Sequence, residues 1–147
     1  MKTKIAAFVV TLLLCISSHA GTISVLEVTE AWARSSMPPN NNSAAYMTIQ
    51  NNTPNSWEII GATAMGVANN VEIHQSYVDD KGISRMTAVD KLVIPANSKV
   101  ELKPNGTHIM LMNLQRNLSP GDKISINLIV EKFGVIPVQV EVRQLGQ

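Results

Sequence analysis

Short runs of apolar or alternating apolar and polar residues make up most of this chain, and turn-forming residues separate them. Alternation with a period of two is typical of half-buried β-strands, and no segment after the first twenty residues shows the period of a long amphipathic helix. Pro, Asn, Asp and Gly end the runs at intervals of roughly ten residues, as in β-sandwiches. The pattern predicts one all-β domain with strands over 22–34, 44–50, 57–64, 71–78, 83–89, 99–102, 107–114, 123–131 and 135–142.

The first twenty residues have the organisation of a secretory signal peptide. Two lysines precede the apolar residues 5–16, and small residues suited to cleavage follow at 18–20. We therefore predict a signal peptide over 1–20 and a folded, exported domain over 21–147. A buried N-terminal helix is one alternative. Lipid attachment at Cys15 is another, weakened by the bulky leucine that precedes it.

Composition narrows the classes of function. The chain has 12 Lys and Arg against 11 Asp and Glu, and losing the two leader lysines leaves the exported domain at a net charge of −1. That charge argues against nucleic-acid binding, which normally needs a basic face. The one cysteine also lies in the leader, so the domain has no thiol nucleophile and no disulfide. There is no Gly-rich phosphate loop and no Gly-x-Ser-x-Gly motif either. We therefore predict that the protein is not an enzyme. We also predict no membrane span after residue 20, because no segment there approaches the ~20 consecutive apolar residues that a span requires.

Histidine and methionine remain as the candidate chemistry. The sequence His108-Ile109-Met110 lies inside a predicted strand, where successive side chains point to opposite faces. His108 and Met110 then share one face, while the intervening isoleucine and the following leucine point into the core. The first face presents an imidazole and a thioether side by side. Met112 shares that face by parity and is a reserve candidate.

A second pair, His74 and Met86, lies on either side of a turn rich in Asp and Gly. A three-residue loop over 80–82, with Gly82 in the left-handed conformation, pairs Met86 with Ser76. In that register Met86 is diagonal to His74 on the same face, within reach of it. A two- or four-residue loop would place them on opposite faces, so this prediction depends on loop length.

Two imidazoles and two thioethers form a soft, neutral ligand set suited to Cu(I). Calcium and magnesium prefer oxygen ligands, and zinc seldom accepts a thioether. The alternative interpretation is structural, because strand histidines are usually exposed or hydrogen-bonded and methionine commonly fills gaps in cores. We expect that ordinary role, in a loop or in the core, for Met37, Met47 and Met65.

The spacing of these four residues carries a family resemblance. His74 is followed by Gln75, ten residues and Met86, and after twenty-one further residues comes His108-Ile109-Met110. Together with segments such as Ala31-Trp32-Ala33-Arg34, this resembles the PCu(A)C family of periplasmic copper chaperones. That family's signature is His, an optional Met, ten residues, Met, twenty-one residues and His-x-Met. Gln75 replaces the optional methionine and leaves the four principal positions intact.

The resemblance implies a cupredoxin-like Greek-key β-sandwich or barrel in the periplasm. It also implies one Cu(I) per chain, held by His74, Met86, His108 and Met110. The copper would be delivered toward the Cu(A) centre of cytochrome c oxidase, either to subunit II or through a Sco-type thiol protein. We expect a monomer.

Two other functions are compatible with parts of this pattern. A periplasmic buffering or resistance protein would use the same ligands and sequester copper without delivering it. A metal-free extracellular β-sandwich for adhesion or assembly would require the four-residue spacing to be coincidental. A redox enzyme is less favoured than either, because soft ligands hold the cuprous state and no cysteine is present to mediate electron transfer.

Overall fold

The computed structural model describes residues 24–36 and 38–144, and there the chain consists of strands joined by turns. The strands are β1 (Leu26–Arg34), β2 (Ser43–Asn51), β3 (Trp57–Thr63), β4 (Ala68–Val78), β5 (Ser84–Ala88), β6 (Leu92–Ile94), β7 (Ser98–Leu102), β8 (Thr107–Leu114), β9 (Lys123–Val130) and β10 (Gly134–Arg143). In this part of the chain no helix is long and apolar enough to cross a membrane. The predicted signal peptide, residues 1–20, and Met37 lie outside the described residues.

All nine predicted strands are present, and β6 is an addition. It has three residues and ends just before Pro95, so it is too short for a period of two to be visible. Tertiary pairing forms it instead: β6 runs antiparallel to β3, with Ile94 opposite Trp57. Ile94 is completely buried, so the burial of its side chain accompanies the pairing.

Strands that are distant in the sequence are neighbours in the sheet, whose order is β5-β4-β8-β2-β1-β10-β9-β3-β6. Strands β1 and β10 run parallel, and the other pairs are antiparallel. Strand β2 is shared, because residues 43–45 pair with β8 and residues 47–51 pair with β7. Strand β6, at one end of this order, contacts β2 and β7, so the sheet curls over one cluster of buried apolar side chains. The all-β prediction is confirmed.

Alternate residues of the strands fill that core. In β9 and β10 the buried side chains fall at every second position: Ile124, Ile126, Leu128, Val130, Ile136, Val138, Val140 and Val142. In β8 the same alternation buries Ile109 and Leu111. Burying one such side chain contributes about 1.5–3 kcal/mol, and a slip of one residue would move the whole set to the other face. Core packing therefore fixes which face of β8 carries His108 and Met110.

Candidate metal centre

Strands β4 and β8 bring the two histidines together. They pair antiparallel with His74 directly opposite His108, and the imidazole ring centroids are 5.9 Å apart. Met110 is two residues further along β8 and is opposite Glu72. Ile109 and Leu111 are in the core, as the alternation predicted, so His108 and Met110 share the other face.

The β4–β5 hairpin has the predicted three-residue loop. The backbone N–H of Asp79 donates to the carbonyl oxygen of Ile83 at 2.9 Å, which closes the loop around residues 80–82. Gly82 has a φ of +75°, a conformation that costs glycine little and other residues more. Met86 is opposite Ser76, which is two residues beyond His74 on β4. It therefore lies diagonal to His74 on the same face, and this prediction of register is confirmed.

Exposure falls unevenly across the four residues. His108 is 4% exposed and Met110 is partly buried, whereas Met86, on the end strand of the sheet, is 57% exposed. Met86, His108 and Met110 line one cleft of about 280 Å³ together with Arg34 and Tyr46. The cluster thus has a buried histidine side and a side open to solvent at Met86.

A backbone carbonyl orients His108. The turn before β8 places the carbonyl oxygen of Gly106 3.0 Å from Nδ1 of His108. Because a carbonyl can only accept, Nδ1 carries the proton and Nε2 keeps the lone pair. Burial lowers the pKa of His108 below its ordinary value, and the charges of His74 and Arg34 lower it further, whereas the bond to Gly106 acts in the opposite direction. The neutral ring, which is the form that binds metals, is therefore favoured.

A carboxylate orients His74 in a similar way. Nε2 of His74 lies 2.8 Å from Oε2 of Glu72, and Nδ1 of the same ring is buried with no hydrogen-bond partner among the described residues. In each histidine, therefore, one ring nitrogen is hydrogen-bonded to a protein oxygen, and the other ring nitrogen is the candidate metal ligand.

The residues that orient the ligand candidates were not singled out from the sequence. Glu72 could have been found, because a residue two positions before His74 on the same strand must share its face. The Gly106 carbonyl has no signature in side-chain patterns. Ala44, which pairs with Met110 and is also in the cleft, depends on the neighbouring strand β2 and is visible only in the fold.

The remaining methionines have different surroundings. Met112 is opposite Asn70 and is four residues from His108, about 13 Å along an extended strand. Met47 is buried in the core, and Met65 lies in the loop between β3 and β4 with 86% of its surface exposed. These positions agree with the ordinary roles expected for Met47 and Met65.

The cluster combines two imidazoles with two thioethers and no thiolate. Within residues 24–36 and 38–144, no three His, Cys, Asp or Glu side chains are grouped as a metal ion would require. A metal ion at this position would find two imidazole nitrogens and two thioether sulfurs as its candidate donors. Thioether and neutral imidazole ligands favour soft monovalent copper over hard divalent ions.

Comparison with known proteins identifies relatives of the whole β domain. Residues 26–142 match the family model described as "LpqE-like: Putative lipoprotein LpqE-like". The chain is 30% identical over 121 residues to "Putative lipoprotein Lxx21020" from Leifsonia xyli subsp. xyli, covering 82% of this chain and 71% of that protein. It is also 30% identical over 106 residues to "Uncharacterized protein RP573" from Rickettsia prowazekii, covering 69% of this chain and 58% of that protein.

Solved structures with this fold include copper-binding domains. The copper-bound PCuAC domain from PmoF2 superposes with a TM-score of 0.69 at 18% identity, covering 84% of this chain and 97% of that domain. Cu(I)-bound DR1885 from Deinococcus radiodurans gives a TM-score of 0.65 at 25% identity, covering 90% of this chain and 85% of that one. The cupredoxin-like β-sandwich expected from the sequence is thereby confirmed. The chain belongs to the LpqE-like family, which is the family of PCuAC copper chaperones that its His and Met spacing resembles.

Proposed function

We propose that this protein binds one Cu(I) through His74, Met86, His108 and Met110 and transfers it to an acceptor protein. The single observation that carries the proposal is the pairing of His74 with His108 across β4 and β8. That register, with Met110 next on the same face and Met86 diagonal to His74, gathers two nitrogen and two sulfur donors at one position. Membership of a family that includes copper-bound domains supports copper as the cargo.

The unequal exposure of the ligands suggests how transfer proceeds. Met86 is on the end strand with more than half of its surface exposed, whereas His108 is almost completely buried. An incoming ligand on the acceptor would therefore replace the Met86 thioether first, and the histidines last. A thiolate binds Cu(I) more strongly than a thioether, so a thiol acceptor would draw the ion away stepwise.

We propose further that delivery occurs in the periplasm, toward the Cu(A) centre of cytochrome c oxidase. The acceptor would be subunit II itself or a Sco-type thiol protein. The leader-like first twenty residues support export, and an exported site without thiolates avoids oxidation to disulfides. The exposed Met86 favours delivery over permanent sequestration, because a storage site would gain from shielding every ligand.

The binding step is tested by anaerobic titration of the protein with Cu(I) against a chromophoric cuprous chelator. X-ray absorption at the copper edge identifies the neighbouring atoms. We expect one equivalent bound with mixed nitrogen and sulfur neighbours, and a large loss of affinity in Met86→Ala and in Met110→Ala. Met65→Ala is the matched control, since Met65 is an exposed methionine outside the cluster. Unchanged binding in both cluster variants would refute the ligand assignment.

Delivery and buffering are separated in the cell. A strain lacking the protein is grown at limiting copper, and cytochrome c oxidase activity is measured with and without added copper. A delivery protein predicts lower oxidase activity that copper supplementation restores. Normal oxidase activity together with greater sensitivity to excess copper would instead identify a buffering protein.

A further inference from the structure

Glu72 and His74 lie two residues apart on β4 and therefore on the same face of the strand. Their side chains are joined by a hydrogen bond of 2.8 Å between Nε2 of the imidazole and Oε2 of the carboxylate. An ionised carboxylate can only accept, so the ring must donate from Nε2–H. The bond therefore selects the tautomer in which Nε2 keeps the proton and Nδ1 carries the lone pair.

The other nitrogen of this ring is in an unusual situation. Nδ1 of His74 is buried and has no hydrogen-bond partner among the described residues. Leaving a buried polar atom unsatisfied destabilises a protein, so native structures seldom contain one without a reason. A metal ion bound at Nδ1 would supply that reason. Because Nε2–H donates to Glu72, the lone pair of the ring is on Nδ1 and is available to the metal.

His108 has the reverse arrangement. The Gly106 carbonyl accepts from Nδ1–H of His108, which leaves Nε2 as the nitrogen with the lone pair. The two rings face each other across the β4–β8 pair with their centroids 5.9 Å apart. The two histidines of the cluster are thus prepared with opposite tautomers by two different kinds of acceptor.

We propose that Glu72 is a positioning residue for copper, holding His74 so that it binds Cu(I) through Nδ1 while His108 binds through Nε2. This inference rests on the proposed function and specifies the ligating atoms of the same site. Carboxylates that accept from a ligating histidine fix the ring orientation and raise its basicity, and their loss typically weakens metal binding about 10- to 100-fold. The Glu72 charge also offsets the charge of a cuprous ion held by four neutral ligands.

The first test requires no copper. Long-range ¹H–¹⁵N correlation spectra of the apo-protein at about pH 8, above the ordinary histidine pKa of about 6.5, distinguish protonated from unprotonated ring nitrogens. We expect His74 as the Nε2–H tautomer and His108 as the Nδ1–H tautomer. In Glu72→Ala the His74 ring should become a mixture of tautomers while His108 is unchanged. A wild-type His74 protonated at Nδ1 would overturn the inference.

The second test measures Cu(I). Addition of one equivalent should perturb Nδ1 of His74 and Nε2 of His108, and competition with a cuprous chelator should show about 10- to 100-fold weaker binding in Glu72→Ala. Glu72→Gln, which keeps an acceptor oxygen without the charge, should lose less. Glu101→Ala is the matched control, because the Glu101 and Glu72 side chains are 49% and 48% exposed and Glu101 pairs with Lys99 on β7.

The outcomes separate this inference from the proposed function. If the unaltered protein binds no Cu(I), the proposed function and the ligating-atom assignment both fail. If the unaltered protein binds Cu(I), and Glu72→Ala has the same His74 tautomer and the same Cu(I) affinity as Glu101→Ala, only the role of Glu72 fails. Perturbation of Nε2 of His74 by Cu(I) would likewise overturn the assignment while leaving copper binding intact.

Discussion

His74 lies directly opposite His108 across strands β4 and β8, with ring centroids 5.9 Å apart, although the two residues are thirty-four positions apart in the chain. Neither strand alone presents more than one imidazole on this face. The pair forms because β8 lies between β4 and β2 in the sheet, with its other face buried. Substitutions on the two faces of β8 should therefore have separate effects, on copper binding for one face and on folding stability for the other.

Neighbouring positions of β8 should have opposite mutational effects. Leu111 is completely buried, so Leu111→Ala should lower the free energy of unfolding by about 2–5 kcal/mol and leave the Cu(I) affinity of the folded protein unchanged. Met110→Ala should do the reverse, with a smaller loss of stability and a large loss of affinity. Urea denaturation and chelator competition measure the two quantities. An equal loss of stability in both variants would mean that the Met110 side chain contributes to core packing as Leu111 does.

The stability of the apo-protein should depend on pH through His108. Burial, together with His74 and Arg34, holds the pKa of His108 below the ordinary value of 6.5. As the pH falls below about 6.5, the unfolded chain takes up a proton that folded His108 resists, so the free energy of unfolding decreases. The contribution is fully present above that pH. Urea denaturation of the apo-protein between pH 7.5 and 3 should show the decrease already between pH 6.5 and 5, and His108→Gln should flatten it there.

Carboxylates provide an internal comparison for that experiment. The backbone N–H of Ile83 and the guanidinium of Arg85 lower the pKa of Asp79, and Arg116 with the Ser119 N–H lowers that of Asp122. Their stabilising contributions are present above the ordinary value of 3.8 and are lost below it. A decrease confined to pH values below about 4 would therefore implicate these carboxylates and contradict the role given to His108.

A buried amide at the far end of β2 should matter for stability alone. Asn51 is completely buried, and its Nδ2 donates to the carbonyl oxygens of Asn55 and Pro95 at 2.8 Å and of Ile94 at 3.1 Å. Its Oδ1 accepts from the backbone N–H of Thr53 at 2.9 Å and from the hydroxyl of Thr53 at 2.8 Å. One side chain therefore joins β2 to the strand β6 that the sequence did not reveal.

Removing that amide should destabilise the fold without changing copper binding. Asn51→Ala leaves several buried polar groups unsatisfied, and we expect a loss of about 2–4 kcal/mol in urea denaturation. Asn52→Ala, at an exposed neighbouring position, should change stability by less than about 0.5 kcal/mol. Cu(I) affinity should be unaffected, because Asn51 is seven residues, about 23 Å of extended strand, beyond Ala44. A weaker copper site in Asn51→Ala would show that the two ends of β2 are coupled.

Tryptophan fluorescence should report copper binding from one of the two tryptophans. Trp32 packs against Tyr46 with ring centroids 4.6 Å apart, and Tyr46 is 6.2 Å from the His108 ring. Trp57 packs instead against Phe133 at 5.9 Å. Because quenching by a bound metal acts over short distances, Cu(I) should change the emission of Trp32. Trp57→Phe should keep the change and Trp32→Phe should lose it; the opposite result would place copper elsewhere.

Local sequence predicted the parts of the site that depend on one strand or one hairpin. The alternation in β8 assigned His108 and Met110 to one face and Ile109 to the other because the side-chain period of a strand is two. The glycine-ended loop predicted the register of Met86 because a hairpin of given loop length has one register. These relationships act over a few residues and need no knowledge of the rest of the fold.

The groups that orient the two histidines, Glu72 and the Gly106 carbonyl, were not predicted from the sequence. Glu72 was accessible from its spacing to His74, but a carboxylate on an exposed strand face is usually only solvated. The Gly106 carbonyl acts through the backbone, whose direction depends on the turn conformation. Strand β6 was missed because three residues before a proline carry no periodic pattern, and only burial of Ile94 against β3 makes them a strand.

The sequence by itself thus determined the all-β class, the faces of the individual strands, the hairpin that carries Met86 and the four candidate ligands. Only the tertiary structure decided that β4 and β8 are neighbours, and so that His74 and His108 meet. The physical reason is that pairing between distant strands is selected by burial of the whole core, to which every strand contributes. Alternation shows which side of a strand is apolar, but not which other strand covers it.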